Sequence, residues 1–134
     1  MSGKKKGLPK QFTKQYIDLL YMTPGKITVK DIANLYGGTY GLTLELWEEM
    51  DVLELTLPNQ NSVDFEPVDI DFKDPSDAAF VKNRGIQTIY AINLNKEDIP
   101  EATPYFEQLV EKYSGFVCED SEDFTPVYVG SSKR

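Results

Sequence analysis

Apolar residues recur at helical spacing up to about Met50 and then change period, so the chain reads as a helical half followed by a mixed half of strands and helices. From Lys10 to Met22, Phe12, Tyr16, Leu19 and Leu20 fall on one side of an expected helix that stops at Thr23-Pro24-Gly25. Thr28, with Asp31 three residues on, reads as the capped start of a second helix. Its apolar side would carry Ile32, Ala33, Leu35 and Tyr36, and Gly37-Gly38 would end it. Leu42, Leu46 and Met50 stand four apart, with Leu44 and Trp47 beside them, and predict a third helix from about Tyr40 to Met50.

Beyond Met50 the period shortens. Val52, Leu53, Leu55 and Leu57 predict a strand, and Asn59-Gln60-Asn61-Ser62 a turn. The stretch Val63 to Phe72 alternates Val68, Ile70 and Phe72 with Asp69 and Asp71, while Pro67 favours an edge position or a bulge. Asp74-Pro75-Ser76-Asp77 has a cap, a first-turn proline and an acid at the third position, so a short helix is expected, stopped by Gly85. Ile86 to Leu94 is the strongest buried-strand candidate. Thr103-Pro104 would open a long helix with Tyr105, Phe106, Leu109, Val110 and Tyr113 on one stripe, closed by Gly115. Phe116–Cys118 and Thr125–Val129 complete the pattern as short strands around an acidic connection.

These elements predict an α+β fold: N-terminal helices (about 10–50) packed with a small mixed or antiparallel sheet of four to five strands and one long helix (about 104–114). A length of 134 residues suits one domain, expected over 10–130, with a disordered basic tail at 1–9 and a flexible tail at 131–134. No apolar run approaches the ~18 residues that span a bilayer, and the basic start is not followed by the apolar core of a secretory signal. One cysteine forms no internal disulfide, and the expected location is cytoplasmic.

Charge sharpens the picture. The net charge of −8 conceals an asymmetry: residues 31–134 hold 21 acids against seven bases, whereas seven lysines and only Asp18 lie in the first 30. Such a body repels nucleic-acid phosphate and attracts cationic surfaces.

The candidate chemistry is narrow. There is no histidine, so Ser-His and Cys-His nucleophile systems and every His-bearing metal site are excluded. Cys118 lies beside Glu119 and Asp120, which disfavour a thiolate, and is expected to point inward. Glu119, Asp120, Ser121, Glu122 and Asp123 offer oxygen donors for weak calcium binding, but without an EF-hand spacing or its turning glycine. The stretch ITVKDIANLYGGTYGLTLELW resembles a helix-turn-helix, with Ala33 and Gly37 four apart and Leu46 turned inward. Its second helix would carry Glu45, Glu48 and Glu49 without a Lys or Arg, the opposite of a DNA reader's charge.

The expected function is a non-enzymatic acidic interaction protein, of an inhibitor or immunity type, that masks a basic protein partner such as a toxin, nuclease or nucleic-acid-binding protein. Its partner-binding residues would be Asp64, Glu66, Asp69, Asp71, Glu119, Asp120, Glu122, Asp123 and Phe124, with no cofactor and no nucleic-acid or membrane partner. The alternatives are a transcriptional regulator with a degenerate helix-turn-helix at 28–50 and a carboxylate- or divalent-metal-dependent enzyme.

Overall fold

Residues 15–132 are described by a computed structural model. The expected tail at 1–9, the start of the first expected helix at 10–14 and the last two residues lie outside them.

The α+β class holds, with three α-helices and one seven-stranded antiparallel sheet among the described residues in place of four to five strands. The strands are β1 (Tyr16–Thr23), β2 (Thr43–Trp47), β3 (Val52–Thr56), β4 (Ser62–Val68), β5 (Thr88–Asn95), β6 (Phe116–Glu119) and β7 (Val127–Gly130). The helices are α1 (Val29–Tyr36), α2 (Pro75–Asn83) and α3 (Ile99–Tyr113). Across the sheet the order is β2-β3-β4-β5-β1-β6-β7.

Two of the expected N-terminal helices are strands. Leu19, Leu20, Tyr21 and Met22 are all buried, but alternately on opposite faces, so this apolar run forms a central strand covered on both sides. A short continuous apolar run is compatible with either period, and here pairing with β5 and β6 decides it. The expected third helix is β2 followed by a 3-10 turn at Glu48–Met50. Leu44-Glu45-Leu46 pairs residue for residue with Leu55-Glu54-Leu53 of β3, a cross-strand match that overrides the four-residue spacing. The expected helical half at 10–50 is thus not set apart from the mixed half that follows, because both contribute strands to one sheet.

Where the start signal is local, the expected helix is present. The Asp31 carboxylate accepts the Thr28 N–H at 2.9 Å and starts α1. The Asp74 carboxylate accepts the N–H groups of Ser76 and Asp77 and starts α2. The long helix begins earlier than expected, at Ile99, after Asn95 accepts the Glu97 N–H and starts a 3-10 turn. Pro104 falls inside it, just past the first turn, where its missing N–H forfeits one intrahelical bond. Strand β4 stops at Val68 because the Asp69 carboxylate takes the Asp71 N–H and turns the chain. Pro67 sits beyond the last β3 pair, where no ladder bond on that side is lost.

One face of the sheet is covered by α1 and α3, and the core there includes Tyr21, Ile32, Leu55, Phe65, Ile92 and Phe106. Tyr36 donates to the Tyr105 carbonyl at 2.5 Å, with the two rings edge to face. A smaller core on the opposite face gathers Leu20, Met22, Ile89, Phe116 and Cys118 under Val81 of α2 and Phe124. Among the described residues no helix is long and apolar enough to cross a membrane.

Candidate functional site

The second core covers only part of its face. Toward the β2 edge that face is open among the described residues, and strand register determines what it shows. Glu45 of β2 pairs with Glu54 of β3, Glu54 with Asp64 of β4, Asp64 with Asn93 of β5, and Asn93 with Asp18 of β1. A single row thus crosses five strands and carries four carboxylates. At the end of the row the Asp120 N–H donates to the Asp18 carbonyl, placing a fifth carboxylate beside it. Glu66 lies on the same face, two residues along β4 from Asp64. None of the seven strands contains a lysine or arginine.

Like charges directly opposite one another on neighbouring strands are destabilising, so this row works against the fold. Asp64 bears most of the conflict. Its carboxyl is held above the usual range, first by burial and then by Glu54 and Glu66. Its Oδ1 is closed off from solvent with no hydrogen-bond partner. Asp120 is raised as well, by partial burial of its carboxyl and by Asp18. Asn93 donates to Asp18 at 2.8 Å, a neutral contact within the row. At one end of the face, Tyr16, Glu54, Thr56, Asn61, Ser62 and Asn95 line an open recess of about 240 Å³.

A group with a raised folded-state pKa binds its proton more readily when folded, so its contribution to stability is complete below the unfolded value of 3.8 and is lost as pH rises through the folded value. Asp64→Asn is therefore expected to raise stability at pH 7 by about 1 kcal/mol, through relief of like-charge pairing. Thermal melts of both proteins from neutral pH down toward 4 check this. The two curves should converge as pH falls, and a gap that widens on acidification would contradict the assignment.

The other expected partner-binding residues are dispersed. Glu66 is exposed near Asp64, but Asp69 and Asp71 lie in the exposed segment that leaves β4. Glu119 pairs with Leu19 and so faces the α1/α3 side, where its carboxylate accepts the Tyr128 hydroxyl at 3.0 Å. Glu122 and Asp123 are exposed in the turn before β7. Asp123 accepts the Thr125 hydroxyl at 2.6 Å, which holds its carboxyl below the usual range. Phe124 is 5% exposed: its backbone takes φ 60 and its ring packs against Phe72 and Phe80, so it presents no ring to a partner.

Glu119, Asp120 and Asp123 each engage a different neighbour rather than a common point. Among the described residues no three Asp, Glu or Cys groups are placed to hold a metal ion. Cys118 is fully buried, and its thiol is pushed up to about 12, first by burial and then by Asp120. The helix-turn-helix resemblance loses its second helix, which is strand β2.

Asp18, Glu45 and Glu54 belong to the open face and were not among the expected site residues. The signal for two of them was the repeated Leu-Glu-Leu at 44–46 and 53–55, a period-two pattern that places both glutamates on the face opposite the leucines, of which Leu53 and Leu55 are buried. Compared with protein-family models, curated proteins and solved structures, the chain matches none of them.

Proposed function

We propose that this is a non-enzymatic interaction protein whose open acidic sheet face masks the basic surface of a protein partner, in the manner of an inhibitor or immunity protein. The partner would be a cationic toxin, nuclease or nucleic-acid-binding protein, met in the cytoplasm. The observation that carries the reading is the cross-strand row Glu45–Glu54–Asp64–Asn93–Asp18, set in a sheet whose strands hold no cation. Uncompensated like charge of this kind costs stability in the free protein, and a docked cationic surface relieves it. Carboxylates spread over a face, rather than converging on one point, suit steering and capture of a broad basic surface.

The test is capture of partners from the native cells at low and at high salt, with wild-type protein and with a Glu54→Lys/Asp64→Asn variant in parallel. A basic partner is expected at low salt, lost at high salt and reduced at least about tenfold by the variant, chiefly through slower association. Recovery of no basic partner, or of a complex indifferent to both salt and variant, would end the proposal.

A further inference from the structure

Among the described residues the two edges of the sheet are built differently. At one edge β7 is four residues long, preceded by Pro126, and its pairing with β6 is interrupted by a register shift at Val117/Cys118. At the other edge β2 pairs with β3 without a break over all five residues, Thr43-Leu44-Glu45-Leu46-Trp47. It contains no proline, no lysine and no bulge, the features with which edge strands ordinarily resist further pairing. Leu46 is 37% exposed, and Trp47 and Met50 are exposed beside it.

We infer that β2 is a strand-addition site for an extended basic segment in which basic and apolar residues alternate. The inference rests on the acidic-face reading above and specifies how the partner engages that face. Among the described residues the outer edge of β2 has no strand paired to it, and its backbone N–H and C=O groups, presented at alternate residues, are what an added strand would pair. Alternate side chains of that strand would stand beside Leu44 and Leu46 on one face and beside Glu45, with Glu54 behind it, on the other. Apolar residues suit the first position and lysine or arginine the second. A second copy of this chain fits poorly: paired antiparallel about an axis normal to the sheet, it would extend the row of like charges into a second acidic face.

Trp47 is the only tryptophan of the chain and ends the strand, so its emission reports directly on this edge. The probes are a capped Lys-Val-Lys-Val-Lys-Val-Lys peptide, the same peptide N-methylated at two consecutive central amides, and an oligolysine of equal charge, each titrated into the full chain at low salt. The alternating peptide should shift Trp47 emission to shorter wavelength and bind at least tenfold more tightly than either control. Glu45→Lys should weaken it by a similar factor. If the methylated peptide or the oligolysine binds within threefold of the alternating one, strand addition is wrong while the acidic face keeps its role. If no basic probe binds, both readings fail. A concentration-dependent emission shift of the chain alone would give the edge to a second copy, and a salt-driven one to the chain's own lysines at 4–14; either result overturns the inference.

Discussion

Gly115→Ala is expected to cost at least ~4 kcal/mol, among the largest effects a single substitution produces, and to lower the melting temperature by on the order of 15 °C. Gly115 joins the end of α3 to β6 with φ +88, and a Cβ there would stand 2.0 Å from the Met22 carbonyl oxygen and 2.8 Å from the Thr23 Cα. Those atoms belong to the backbone of β1, hydrogen-bonded to strands on both sides, and have no room to retreat. The same corner is clasped by side chains: Tyr21 donates to the Ser114 carbonyl at 2.7 Å and Thr23 to the Tyr113 carbonyl at 2.5 Å. A methyl group at Gly115 would therefore separate α3 from β1 as well as strain its own backbone. Gly38→Ala is the control. It shares the left-handed backbone, φ +82, but meets nothing within 4 Å, so only the backbone penalty of about 1–2 kcal/mol should appear. Chemical denaturation of both variants checks the contrast, and equal losses would mean that close approach to β1 is not the cause.

The second large effect is expected at Asp51, which ends the turn between β2 and β3. Its carboxylate accepts the Val29 N–H at 2.9 Å and the Tyr90 hydroxyl at 2.7 Å, tying that hairpin to the start of α1 and to β5. Tyr90 is fully buried, and its hydroxyl is held well above its ordinary pKa, first by burial and then by the bond to Asp51. Asp51→Ala removes the acceptor for a buried hydroxyl and for a helix N-terminal amide, and should cost about 3 kcal/mol. Asp51→Asn keeps an acceptor and tolerates the left-handed backbone, φ 57, so it should cost only about 1 kcal/mol. Urea titrations at pH 7 separate the two. Equal costs would show that loss of the negative charge, rather than of the acceptor or of the left-handed turn, is what matters at this position.

The helices α1 and α2 were legible because their start signals act within four residues: Thr28 with Asp31, and Asp74 with Pro75, Ser76 and Asp77. Strands β1 and β2 were not, because what makes them strands is pairing with β5, β6 and β3, and pairing leaves only a faint local trace. The same limit applies to the site. Asp64 and Glu66 were picked out as acids of an expected strand, but the row they belong to exists only once five strands are in register. Asp18 was hidden in an expected helix, and Glu54 had no known neighbour. Glu119 and Phe124 were placed on the acidic side by proximity in sequence. A strand sends adjacent residues to opposite faces, and a left-handed backbone at Phe124 turns its ring into the core.

Strand order also bears on how the chain assembles as it is made. β2, β3 and β4 are sequential neighbours in the sheet and can form a meander as soon as they emerge. β1 emerges before them, but its two partners, β5 and β6, come from the second half of the chain. Leu19–Met22 must therefore wait for its partners until β5 has been made, and among the seven strands this apolar run is the one that holdase chaperones have the longest opportunity to bind.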